Sequence, residues 1–160
     1  MITQLSNINV EKLLEAYNLI EHNIVWTNFG SGKQAGLQFK DDEDIWTSAV
    51  GKSKSYDLFY STINPFFKNT IFEEVINQYN LKRTRLMWMG GKSCYSMHRD
   101  QTARLHIPLI TNPQCYIVFQ KGQVEHLTTG SVFWVDTRLN HTAMNGSDTD
   151  RLHLVGSVES

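Results

Sequence analysis

The chain has 160 residues, of which 41% are hydrophobic and 19% are charged, a balance typical of one globular domain rather than of a disordered segment. Fifteen Lys and Arg against sixteen Asp and Glu give a formal net charge of −1, so binding to nucleic acid or to an anionic membrane is not expected. No apolar run approaches the roughly 18 residues of a membrane helix, and the N-terminal residues do not resemble a signal peptide. Cys94 and Cys115 are expected to be reduced thiols of an intracellular, cytoplasmic protein.

Helical signals are found in the first half of the chain. Asn9 is a candidate N-cap, and apolar residues follow it at helical spacing. Thr-Ile-Phe-Glu at residues 70–73 has the form of a capping box and predicts a second helix that ends near Tyr79. Between the two helices, the acidic run 41–44 and the segment 51–55 are predicted to be loops.

From residue 81 onward, short apolar or alternating runs are separated by turn signals such as Gly90-Gly91 and Asn145-Gly146. Strands are predicted at residues 85–89, 104–110, 115–120, 123–127, 131–136 and 151–158. Six short strands at close spacing are typical of an antiparallel sandwich or barrel rather than of βαβ units. We therefore expect one domain over residues 1–160, with a helical and mixed half (1–80) packed against a β-rich half (81–160).

Histidines are concentrated in the β-rich half, where a single one is more often a hydrogen-bonded core or surface residue than a ligand. His98-Arg99-Asp100 is a weak motif by itself. However, residues i and i+2 of an extended segment project to the same side, so this imidazole and carboxylate can converge on one ion. His141 follows the predicted strand 131–136, and two histidines with one carboxylate form the facial triad of non-haem Fe(II) oxygenases, which leaves open positions for other ligands.

Arg151 begins the last predicted strand, where it shares one face with His153 and Val155. Arginine suits the distal carboxylate of a 2-oxo acid, because its planar fork donates two parallel hydrogen bonds. The spacing leaves two interpretations open: this face borders the metal site, or it faces water on an outer surface.

Two stretches of the β-rich half resemble the aspartyl/asparaginyl β-hydroxylase family of Fe(II)/2-oxoglutarate dioxygenases, which also includes bacterial hydroxylases of free proline. They read GGKSCYSMHRDQTARLHIPLITNP and GSVFWVDTRLNHTAMNGSDTDRLHLV. The shared features are H-x-D after a Gly-containing turn, R-L-H-I-P-L-x-T-N-P, a Gly and an Asp before the distal His, and N-x-x-D-x-x-R-x-H-L-V. Together they cover roughly residues 85–155.

The resemblance implies a double-stranded β-helix, a jelly-roll or cupin-like sandwich, and assigns roles to six residues. The implied iron ligands are His98, Asp100 and His141. Arg151 would hold the C5 carboxylate of 2-oxoglutarate, and Arg104 and His106 match positions that the family uses near the C1 carboxylate. An alternative for His106 is a core histidine bonded to a backbone carbonyl.

The implied activity is hydroxylation of a substrate C–H bond by O2, coupled to oxidative decarboxylation of 2-oxoglutarate at Fe(II). Asp100 is absent from some protein-modifying members, so its presence favours a small, proline-like free amino acid as substrate. Two alternatives stay open: a hydroxylase of Asp, Asn or Pro side chains in a protein, and a non-catalytic cupin-like metal-binding or sensor domain. Residues 1–80 show no matching motif, so no substrate-recognition residue is predicted there, and a homodimer is possible because sheet edges must be covered or paired.

Overall fold

Thirteen strands and two α-helices follow one another in the computed structural model, which describes residues 1–159. In chain order they are β1 (Ile2–Asn7), α1 (Val10–Ile20), β2 (Thr27–Phe29), β3 (Gly32–Gly36), β4 (Gln38–Phe39), β5 (Thr62–Ile63), α2 (Ile71–Gln78), β6 (Lys82–Met89), β7 (Ser93–Cys94), β8 (Ala103–Ile110), β9 (Cys115–Phe119), β10 (Val124–Glu125), β11 (Ser131–Val135), β12 (His141–Asn145) and β13 (Arg151–Val158). Within residues 1–159, neither helix is long and apolar enough to cross a lipid bilayer.

Eleven of the strands form two facing antiparallel sheets, and β4 and β5 pair in a separate two-stranded sheet. The main sheet has seven strands in the order β1-β11-β8-β13-β6-β3-β2, and the smaller sheet has four in the order β10-β9-β12-β7. Apolar side chains from both sheets, such as Phe133 and Val135 of the main sheet and Ile117 and Phe119 of the smaller one, pack together between them. The predicted mainly β sandwich is therefore confirmed.

The first predicted helix is confirmed together with its cap. The Asn9 side chain accepts a hydrogen bond from the backbone N–H of Lys12 at 3.2 Å, which satisfies one free donor of the first turn. Along this helix, Leu13 and Tyr17 are buried in the apolar core shared with the main sheet.

The second helix is confirmed, but its predicted capping box is wrong. Glu73 accepts a hydrogen bond from the backbone N–H of Asn69 at 3.2 Å, and the Thr70 hydroxyl donates to the Phe67 carbonyl at 2.6 Å. Because the backbone turns through a left-handed conformation at Asn69 (φ 60°), the N–H that faces Glu73 belongs to Asn69 rather than to Thr70.

Both helices cover the outer face of the main sheet, as predicted. The shared apolar core contains Leu13, Tyr17, Phe72, Val75 and Ile76 from the helices and Leu105, Ile107, Leu109, Leu152 and Leu154 from the sheet. The first half of the chain also supplies β1, β2 and β3 to the main sheet, which the sequence does not predict. In the second half, β12 is missed and the predicted strand 123–127 shortens to β10.

Candidate active site

A cavity of about 730 Å³ lies between the two sheets. All six residues to which the sequence assigns a role line it, so the fold brings together positions that are far apart in the chain. They are His98, Asp100, Arg104, His106, His141 and Arg151.

His98, Asp100 and His141, which we call the triad, are placed by backbone pairing. His98 and His141 lie opposite each other and exchange two backbone hydrogen bonds of 2.9 Å, while the Asp100 N–H donates to the Thr137 carbonyl at 2.8 Å. His141 is the first residue of β12, and the segment with His98 extends beside it. Side-chain ligand atoms of the triad lie within 4.8 Å of one another.

The backbone also orients both imidazoles. Nδ1 of His98 lies 2.8 Å from the Ser96 carbonyl, and Nδ1 of His141 lies 2.8 Å from the Leu139 carbonyl. Because a carbonyl only accepts, each Nδ1 carries the proton and each Nε2 keeps its lone pair. Burial lowers the pKa of His141, against an opposing effect of the Leu139 carbonyl, and this favours the neutral form that binds metals.

Asp100 completes this arrangement with an oxygen that has no hydrogen-bond partner. Its Oδ1 forms an ion pair with Nη2 of Arg104, 2.9 Å away, and lies 3.9 Å from Nε2 of His98. Its Oδ2 is buried and has no hydrogen-bond partner within residues 1–159, and it lies 3.6 Å from Nε2 of His141. Two imidazole nitrogens and one carboxylate oxygen that face a common point fit a divalent first-row metal such as Fe(II).

Arg151 is buried in the wall of the cavity, with 2% of its surface exposed. Its Nε has no hydrogen-bond partner, and no carboxylate forms an ion pair with it in the described part of the chain. Burial lowers the pKa of its guanidinium. The interpretation in which this face of the strand is exposed to water is therefore wrong.

His106 and Arg104 both line the cavity and have side-chain partners. Nδ1 of His106 lies 3.2 Å from Nδ1 of His153, and within residues 1–159 the alternative, a bond of His106 to a backbone carbonyl, is not formed. Burial lowers the pKa of both histidines well below the usual value. They are therefore neutral, with one nitrogen of the pair donating and the other accepting. Arg104, which the resemblance places near a bound carboxylate, contacts the carboxylate of Asp100.

Among the residues of the cavity wall that the sequence does not single out, four carry buried charged or amide side chains: Gln34, Asp57, Arg83 and Arg85. Arg85 is 3% exposed, and its Nη1 donates to the Gln34 side chain at 3.1 Å, whereas its Nε has no partner within residues 1–159. Burial lowers its pKa well below the usual value. A signal was present, because Arg83 and Arg85 alternate in a strand that is otherwise apolar toward its end.

A family model described as aspartyl/asparaginyl beta-hydroxylase matches residues 61–160. The chain belongs to this family. The matched segment contains the triad, Arg151, Arg104 and His106, whereas Gln34 and Asp57 lie outside it.

One curated relative is the L-proline cis-4-hydroxylase of Rhizobium meliloti (strain 1021), which is 26% identical over 161 residues. The alignment covers 92% of this chain and 55% of that protein. The chain thus spans about half the length of this relative.

Solved structures share the fold at low sequence identity. An oxidoreductase of the 2OG-Fe(II) oxygenase family from Burkholderia pseudomallei superposes with a TM-score of 0.63 at 12% identity, over 98% of this chain and 82% of that one. A Pseudomonas putida prolyl-4-hydroxylase gives 0.58 at 9% identity, over 99% and 92%. A Trichoplax adhaerens prolyl hydroxylase in complex with a peptide fragment of hypoxia inducible factor gives 0.54 at 11% identity, over 98% and 83%. These similarities confirm the predicted fold class.

Proposed function

We propose that this chain is an Fe(II)- and 2-oxoglutarate-dependent hydroxylase that acts on a small free amino acid. The observation that carries the proposal is the unpartnered Oδ2 of Asp100, which lies 3.6 Å from Nε2 of His141, in a carboxylate that is close to two imidazoles oriented by backbone carbonyls. A buried acceptor without a partner costs about 1–3 kcal/mol, and a bound cation removes that cost. In this proposal the metal is held by Asp100 and by Nε2 of both histidines. When bound, Fe(II) supplies the site where O2 and 2-oxoglutarate react.

Arg151 is proposed to hold the C5 carboxylate of 2-oxoglutarate. Its guanidinium is buried in the same cavity as the triad and has no carboxylate partner in the described residues. A dicarboxylate that reaches it from the metal would receive the two parallel hydrogen bonds of the planar fork. His106 and Arg104 line the cavity on the side of the triad, and we propose that they border the C1 carboxylate.

The preference for a free amino acid is supported by Arg85. If Arg151 holds 2-oxoglutarate, Arg85 is a second buried guanidinium with only an amide partner, Gln34. The α-carboxylate of a free amino acid would pair with it, whereas a residue inside a polypeptide has no such group. Because one similar protein is named an L-proline cis-4-hydroxylase, proline is the first substrate to test.

The test is a screen of free amino acids for succinate release and a hydroxylated product, with Fe(II), 2-oxoglutarate and O2 supplied. We expect amino-acid-dependent succinate with proline or a close analogue, and none with the Asp100→Ala variant. Prolinamide, which lacks the carboxylate, should be a much poorer substrate than proline. Equal turnover of the two compounds would exclude Arg85 as the carboxylate partner, and metal binding without any turnover would favour the non-catalytic sensor domain.

A second candidate is a hydroxylase of side chains in a protein. The His98 side chain is 40% exposed, so the triad can be reached from outside the sandwich, and the Trichoplax adhaerens neighbour was solved with a bound peptide. A proline inside a peptide that is blocked at both ends distinguishes the two candidates. Turnover of that peptide, and not of free proline, would favour the protein substrate.

A further inference from the structure

We propose that Asp57 is a positioning residue for the metal site. Acting through Arg104, whose guanidinium pairs with Oδ1 of Asp100, it fixes that carboxylate so that the unpartnered Oδ2 stays available to the metal. The inference rests on the proposed metal site and adds a residue to it from outside the matched segment 61–160.

Asp57 is a fixed carboxylate in a buried position. It begins a single 3-10 turn, Asp57–Phe59, and is 1% exposed. Its Oδ1 accepts from Nη1 of Arg83 at 3.2 Å, and its Oδ2 accepts from the hydroxyls of Thr102 at 3.2 Å and Ser157 at 3.1 Å. Donors from three separate segments therefore prevent this carboxylate from rotating.

Arg104 lies between this fixed carboxylate and the triad. Its Nη2 is 2.9 Å from Oδ1 of Asp100 and 3.7 Å from Oδ2 of Asp57. Both contacts are ion pairs between opposite charges, and the one with Asp100 is the closer of the two. Arg104 therefore connects the two carboxylates, and its guanidinium is the partner of Oδ1 of Asp100.

The charges around Arg104 make Asp57 necessary for this geometry. Arg83 and Arg85 are buried nearby, and the charge of Arg104 contributes to lowering the pKa of both. Without the negative charge of Asp57, the guanidinium groups of Arg83, Arg85 and Arg104 would share the single carboxylate of Asp100. Their mutual repulsion would displace Arg104, and Asp100 would be free to rotate and to change the oxygen that it presents.

The alternative is that Asp57 only neutralises Arg83 and fastens residues 51–60 to the sheet. Arg83 also donates to the Gly51 carbonyl, so this structural role exists in any case. The two explanations differ in the folded protein: only the positioning role makes the affinity for a metal depend on Asp57.

The experiment measures the affinity for Co(II), and the absorption spectrum of the bound ion, in the full chain. We expect Asp57→Asn to lower the affinity by about tenfold or more, the usual effect of losing an outer partner of a metal ligand, and to change the spectrum. The matched control is Ser157→Ala, which removes a donor to the same Asp57 oxygen. It should lower the melting temperature and leave Co(II) affinity within about twofold.

Wild-type affinity and spectrum in Asp57→Asn would overturn the proposal, as would an equal loss of affinity in Ser157→Ala. If Asp57→Asn does not fold, the double variant Asp57→Asn/Arg83→Gln is used, because it leaves no unpaired charge at that pair. A loss in the same direction is expected there, smaller because Arg83 no longer repels Arg104, and wild-type affinity would again overturn the proposal. Failure of the wild-type chain to bind Co(II) would instead contradict the metal site itself, and the inference with it.

Discussion

The two faces of β13 are equally buried and chemically opposite. Leu152 and Leu154 face the helices and belong to the apolar core, whereas Arg151 and His153 lie on the other face of the same strand, toward the smaller sheet, where Arg151 lines the cavity. Burial alone therefore does not distinguish a core from a site in this molecule. What distinguishes them is whether the buried groups have partners.

On the helix face, every side chain is packed against others, and burial stabilises the fold. On the cavity face, Arg151 and His153 each keep a buried nitrogen without a partner in the described part of the chain, which destabilises the fold. The apolar face thus offsets the cost of a polar cavity that is ready to receive charged ligands. Substitutions on the two faces should separate stability from binding.

The largest effect is expected for His141→Ala on the cavity side. Loss of one of three ligands should reduce Fe(II) or Co(II) affinity by about 1000-fold or more, equal to about 4 kcal/mol. The melting temperature should change little, because the imidazole faces the cavity. The matched control is His126→Ala, since His126 bonds the Cys115 carbonyl and does not line the cavity. Normal metal binding by His141→Ala would exclude His141 as a ligand.

Leu154→Ala should lower stability and leave metal affinity unchanged, the reverse of the effect expected for His141→Ala. Its side chain is fully buried in the helix-facing core, so the substitution should lower the free energy of unfolding by about 2–4 kcal/mol. Metal affinity of the folded protein should be unchanged. Chemical denaturation and a Co(II) titration of the same sample measure both quantities. A loss of affinity as large as the loss of stability would show that the two faces are not independent.

Arg151→Lys is expected to weaken 2-oxoglutarate binding by about 30-fold, or about 2 kcal/mol, because a point charge cannot replace a bidentate fork. Co(II) affinity in the absence of 2-oxoglutarate should remain close to wild type. Calorimetric titration with 2-oxoglutarate measures the change. Unchanged 2-oxoglutarate affinity would remove Arg151 from the site.

The smallest effect concerns pH. Burial holds the pKa of His106 and His153 below the unfolded value of about 6.5. The unfolded chain therefore takes up protons first as the pH falls. The contribution of the two neutral histidines to the free energy of unfolding is fully present above about pH 6.5. It declines below that pH, by about 1 kcal/mol per histidine between pH 7 and 5.5. His153→Gln should flatten this dependence in metal-free protein, and a wild-type melting temperature that is constant over this range would contradict neutral burial.

Sequence patterns predict the features that depend on neighbouring residues. The helix after Asn9 and the convergence of His98 with Asp100 follow from local spacing, and the structure has both. By contrast, β12 has the short and mixed sequence HTAMN, and it becomes a strand because β9 and the His98 segment pair with it. The orientation of Arg151 likewise depends on a second sheet over that face.

The charge network around Arg104 is harder to predict. Its partner Asp100 is close in the chain, but Asp57 comes from the mixed first half, where no motif marks it. The role of Arg85 is equally hard to predict, because it depends on the absence of a carboxylate partner: the guanidinium bonds to the Gln34 amide, and its Nε has no partner in the described residues. Buried residues that lack a partner can be identified only from the three-dimensional structure of the whole cavity.

The proposed site for Fe(II) and 2-oxoglutarate is tested most directly by an anaerobic titration of metal-free protein with both components, followed by visible absorption. We expect a charge-transfer band that requires both components and is absent in His98→Ala. Iron binding without any such band would contradict the proposed site.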